Sequence, residues 1–68
     1  MAYVEICIGN KKFVTGQLVI VGVKDTYTFI DTYKDEAFAI ACDKLGLNLD
    51  DCCILDWRFL GENVIFIN

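Results

Sequence analysis

The chain has 68 residues, of which 56% are hydrophobic, with no proline, no histidine, four cysteines and a formal net charge of −4. Counting Gly and leaving out Tyr, the apolar share is about 59%, against roughly 45–50% in ordinary domains. Intrinsic disorder is excluded by this balance, and the longest apolar run, Leu18–Val23, is too short to span a membrane. A chain this short buries only about 60% of its unfolded surface, so a single marginal domain over residues 1–68 is expected, of the kind often helped by a staple or a partner.

Residues 3–8 are β-rich, with Val4, Ile6 and Ile8 on one face. Gly9-Asn10 suits a two-residue turn and predicts a hairpin into Lys11–Thr15. Gly16 interrupts the apolar run and reads as a bend between shorter strands. In Leu18–Val23, Leu18 and Ile20 point one way and Val19, Val21 and Val23 the other, so the strand is apolar on both faces. Thr26–Asp31 alternates and predicts another strand.

One helix follows. Thr32 at the N-cap with Asp35 three residues on resembles a capping box. Ala37, Phe38, Ile40, Ala41 and Leu45 form an apolar stripe, Lys44 suits the last turn, and Gly46 suits the C′ position. After a short acidic connection, Cys53–Leu60 alternates, predicting Cys53, Leu55, Trp57 and Phe59 inward with Asp56 and Arg58 outward. Gly61-Glu62 predicts a II′ hairpin turn into Asn63–Ile67. These elements specify an α+β two-layer fold, one helix on a four- or five-stranded, largely antiparallel sheet in the order β-β-(β)-α-β-β. A β-grasp arrangement is one such topology. A ubiquitin-like binding domain would then lack conjugation chemistry, because the chain ends Phe66-Ile67-Asn68 rather than Gly-Gly.

Catalysis is not expected. Without histidine there is no Ser-His or Cys-His nucleophile pair. The adjacent carboxylates Asp35-Glu36 and Asp50-Asp51 diverge at i, i+1, and no phosphate-binding glycine spacing occurs. Cys7, Cys42, Cys52 and Cys53 contain no C-x-x-C knuckle, so no metal or cofactor is expected. Cys7, Cys42 and Cys53 read as buried thiols and Cys52 as partly exposed. The start of the chain lacks the basic and apolar regions of a signal peptide, which makes the cytoplasm the default compartment.

Charge and apolarity point to protein contact. Only Lys11-Lys12 cluster, so direct nucleic-acid binding is disfavoured. Residues 31–68 carry eight carboxylates against three cations, and Asp43, Asp50, Asp51, Asp56 and Glu62 are expected to gather near one end of the sheet. Such a cluster would suit a small acidic inhibitor of a larger, nucleic-acid-handling host enzyme, of the type that phage or mobile-element genes encode. The candidate partner-binding residues are Tyr33, Asp50, Asp51, Asp56 and Arg58, with Trp57 in the core. A single helix covers one sheet face, which would leave Val19, Val21 and Val23 beside Thr26 and Thr28 as a self-association patch. A homodimer, or a self-associating accessory subunit, is the corresponding expectation. Ile65 and Ile67 would add an edge for strand pairing between chains.

Overall fold

A computed structural model describes residues 1–12, 16–24, 29–62 and 64–65. Strand β1 (Ala2–Asn10) lies between β2 (Gln17–Val23) and β3 (Cys52–Gly61), giving the order β2-β1-β3 with both pairings antiparallel. Helix α1 (Ile30–Leu45) connects β2 to β3 through a 3₁₀ turn at Leu49–Asp51. The protein is thus α+β, with one helix and a three-stranded antiparallel sheet among the described residues.

The centre of the core is β1. Ala2, Val4, Ile6 and Ile8 alternate with half-buried residues and are themselves fully buried. The pleat aims these four at α1, since alternate residues of a strand share a face. Val21 and Val23 of β2 join them, and Val19 packs against the cluster. From the helix come Tyr33, Ala37, Ala41 and Cys42. The alanines lie four residues apart, one turn above the other, and their small side chains let the helix approach the sheet closely.

The helix starts three residues earlier than a Thr32 cap requires. Phe29 is the N-cap and makes no side-chain cap hydrogen bond, while the Thr32 N–H donates to the Phe29 carbonyl at 3.1 Å. The C-terminus follows expectation: Lys44 lies in the last turn, and Gly46 takes the left-handed conformation at φ 69°. Its N–H donates to the Asp43 carbonyl, and that of Leu47 to the Cys42 carbonyl at 2.9 Å, closing the helix end.

Other expectations shift. Gly9 and Asn10 belong to β1 rather than to a turn, which falls at Lys11-Lys12. Of the Lys11–Thr15 strand, 13–15 lie outside the described residues, as do 26–28 of the Thr26–Asp31 strand, whose remainder is the helix N-terminus. Gly61 ends β3 at φ 82°. Of the last predicted strand, Val64 and Ile65 belong to no element, and Asn63, Phe66 and Ile67 lie outside the described residues. Ile65 and Ile67 therefore supply no described edge strand.

Strand β3 departs from strict alternation. Cys7 pairs with Asp56 while the next residue, Ile8, pairs with Ile54, so Leu55 is an extra residue on β3. A bulge of this type resets the parity of the strand. Cys52 and Ile54 pack against the core before it, and Trp57 and Phe59 after it. Cys53 and Leu55, expected inward, are exposed. A second irregularity lies between Tyr3 and Val4, opposite Gly61 and Phe59.

Candidate interaction surface

The helix covers one face of the sheet. The other face is built from the alternate residues Tyr3, Glu5, Cys7 and Gly9 of β1, flanked by Leu18, Ile20 and Gly22 of β2 and by Cys53, Leu55, Asp56 and Arg58 of β3. Leu18 is 64% exposed, Leu55 58% and Ile20 43%. These three side chains are apolar, and β1 holds them on one face. Leu18 stands opposite Cys7 and Ile20 opposite Glu5 on one side of that strand.

Glycines leave room for neighbouring side chains to lie across this face. A Cβ on Gly9 would come within 3.1 Å of Leu55 Cδ2 and Cys53 Sγ. On Gly16 it would meet Cys7 Sγ at 2.6 Å and Leu55 Cδ1 at 2.7 Å. Leu55 therefore reaches from β3 across the end of β1 toward Gly16. Met1 lies over Gly22 in the same way and is itself exposed.

One ion pair lies within the apolar surround. Arg58 Nη2 donates to Glu5 Oε2 at 3.5 Å, and the two residues face each other across β1 and β3. Both are solvent-accessible, so the pair contributes little to stability. Asp56 is exposed nearby on β3, where its Oδ1 accepts from the Trp57 N–H at 2.8 Å.

The structure separates the residues singled out from sequence. Arg58 and Asp56 are exposed, as expected. Tyr33 is buried and packs against Phe59 beneath the helix, so it presents no contact surface. Asp51 belongs to a structural connection: its carbonyl accepts from the Lys11 N–H, and its Oδ1 lies 3.7 Å from Lys11 Nζ. Asp50 is exposed on the same turn. The carboxylates do not gather at one end, because Asp50 and Asp51 precede β3, Asp56 lies within it and Glu62 follows it. A ten-residue strand separates its two ends by roughly 30 Å.

Val19, Val21 and Val23 do not form an outward patch. Val21 is 3% exposed and Val23 1%, and all three belong to the helix-covered side. The two faces of β2 were correctly separated, but the assignment of which one faces outward is reversed. Leu18 and Ile20 are the residues this inverts, and Leu55 is the one the bulge adds. Trp57 is half-buried against the core, with Lys34 Nζ 5.9 Å from its ring centroid.

All four thiols are free. Cys42 is buried, Cys7 and Cys52 are intermediate and Cys53 is exposed, so the expected order of Cys52 and Cys53 is inverted by the same bulge. Among the described residues no three His, Cys, Asp or Glu side chains converge as a metal site. No helix among them is long and apolar enough to cross a membrane. Compared with known proteins, the chain matches no family model, no curated protein and no solved structure.

Proposed function

We propose that the chain is a non-catalytic protein–protein interaction module that pairs with a second copy of itself through the open face of its sheet. The observation that carries this reading is the apolar set Leu18, Ile20 and Leu55, exposed on the face opposite the helix. Exposed apolar surface of this kind marks contact sites, and two sheets packed face to face are a common way to bury it. The Glu5–Arg58 pair within that face supports a copy of the same chain as the occupant. Under a two-fold axis the carboxylates Glu5 and Asp56 of each face can meet Arg58 of the other, without a second kind of surface. An acidic inhibitor of a basic enzyme draws support from the net charge of −4, but the spread of the carboxylates along β3 and beyond favours it less.

Sedimentation equilibrium at micromolar concentration tests the proposal. The expected result is twice the chain mass, returning to the single-chain mass in Leu18→Asp and Leu55→Asp. A monomer in the native sequence overturns it, as does a dimer indifferent to both substitutions.

A further inference from the structure

We propose that the two copies pair about a two-fold axis that crosses the strands, and that Asp56 and Arg58 select this arrangement by meeting each other between copies. The proposal rests on the self-association reading and adds to it the orientation of the pair and the residues that fix it.

The register lays the open face out as a grid. Along β1, Glu5 lies between Ile20 of β2 and Arg58 of β3, and two residues on, Cys7 lies between Leu18 and Asp56. Tyr3 and Gly22 stand before these two rows, and Gly9 and Cys53 after them. The β2 flank of both rows is thus apolar, and the β3 flank charged. Leu55 lies across Gly9 toward Gly16, over the end of the grid beyond Cys7.

For two facing sheets with aligned strands, the axis runs either along the strands or across them. An axis along the strands keeps the rows and exchanges the flanks. Ile20 would then face Arg58 of the partner subunit and Leu18 the partner's Asp56, which takes charges out of water against apolar side chains. An axis across the strands keeps the flanks and reverses the rows. Centred on either row, it brings like charges together, Arg58 on the partner's Arg58 or Asp56 on the partner's Asp56. Centred between the rows, it sets Ile20 against the partner's Leu18 and Arg58 against the partner's Asp56. Leu55 then comes over the partner's Tyr3 and the partner's Ile20. Only this last placement matches apolar to apolar and base to acid.

Both charged groups keep bonding capacity for the contact. Arg58 holds its own Glu5 through Nη2 at 3.5 Å, and its planar fork carries further donors. Asp56 is exposed and commits Oδ1 to the Trp57 N–H at 2.8 Å. Each Arg58 thus comes to lie between its own Glu5 and the partner's Asp56.

Sedimentation equilibrium at micromolar concentration tests the arrangement on the native chain, Asp56→Arg, Arg58→Asp, an equimolar mixture of the two variants, and a chain carrying both changes. Either single substitution puts like charges in both contacts of a self-pair, and dimerisation is expected to weaken at least about tenfold. In the mixture both contacts again join acid to base, and the dimer is expected to return; the doubly substituted chain is expected to pair with itself. Asp56→Arg also lowers the net negative charge, so its weakening separates repulsion at the contact from repulsion between whole chains. Both positions are exposed on β3, and circular dichroism checks that the fold is kept. Should one single variant fail to fold, the doubly substituted chain set against the other carries the comparison. A native dimer with Asp56→Arg undiminished, a mixture no tighter than its components, or a doubly substituted chain that stays single overturns the orientation and leaves the open-face reading standing. A native chain at the single-chain mass overturns both.

Discussion

The ring of Tyr33 on α1 lies 5.1 Å from the ring of Phe59 on β3, with the two planes tilted by 58°. This is a tilted aromatic contact, favourable beyond the area it buries. Tyr33 is 5% exposed and ties the first half of the helix to an outer strand of the described sheet. Tyr33→Ala is expected to lower unfolding stability by about 3 kcal/mol, read from urea denaturation followed by far-ultraviolet circular dichroism. A loss under about 1 kcal/mol would mean the helix docks without this contact.

Substitutions on the two faces of β2 should separate cleanly. Val21 is buried among core residues and Leu18 is exposed. Val21→Asp places a carboxylate in the core and is expected to unfold the domain. Leu18→Asp should leave monomer stability within about 0.5 kcal/mol while removing apolar surface from the open face. Circular dichroism of both variants, at a concentration low enough to exclude association, checks the contrast.

Gly46 isolates a backbone effect. It has φ 69° and nothing within 4 Å of the position where a Cβ would stand. Gly46→Ala is therefore expected to cost about 1 kcal/mol through the left-handed conformation alone. Gly46→Asn should cost less, since Asn tolerates that region better. Equal losses in the two variants would point to a different origin.

Gly16 and Gly22 should respond differently to the same methyl group. At Gly22 the obstacle is the flexible Met1 side chain, which can swing toward solvent. At Gly16 it is Cys7 Sγ and Leu55 Cδ1, with the Ile8 carbonyl oxygen at 3.3 Å behind them. Gly16→Ala is expected to destabilise by about 1–3 kcal/mol and Gly22→Ala by less than about 0.5 kcal/mol, measured by urea midpoint.

Cys42 gives a pH dependence of defined sign. Its folded-state value, about 11, lies above the ordinary 9.0. Below pH 9 both folded and unfolded chains hold the proton, and the stability is intact. Between 9 and about 11 only the unfolded chain releases it, so stability falls as pH rises, on the order of 1 kcal/mol per unit. Urea midpoints of reduced protein across this range, compared with Cys42→Ala, should show a decline that the variant lacks.

The parts legible in the sequence are those set by one chain segment alone. Ala2–Asn10 announces its buried face through Val4, Ile6 and Ile8, and the end of α1 through Lys44 and Gly46. The two faces of β2 were also legible, but not which one the helix would cover. That choice depends on how β2 registers against β1, where Val21 stands opposite Val4. The Leu55 bulge was hidden because Cys53, Leu55, Trp57 and Phe59 satisfy an unbroken alternation equally well. Only the pairing of Ile8 with Ile54 breaks it. Tyr33 carries the composition of a contact residue, and its position on the helix decides otherwise. Of the expected surface, Asp56 and Arg58 were visible beforehand; Leu18, Ile20 and Leu55 required the three-dimensional pairing.

The extra residue on β3 makes the two faces of the sheet separable by chain length. If Leu55 were absent, Ile54 would be followed directly by Asp56 and Trp57, and the pairs Ile8–Ile54, Cys7–Asp56 and Ile6–Trp57 would form an uninterrupted ladder. Every inward side chain would keep its place, while the open face would lose the leucine that spans Gly9 and Gly16. Between Ile54 and Phe59 the interior is thus encoded without Leu55, which belongs to the exterior alone. A single codon gained or lost at this point changes what the surface offers without rewriting the core.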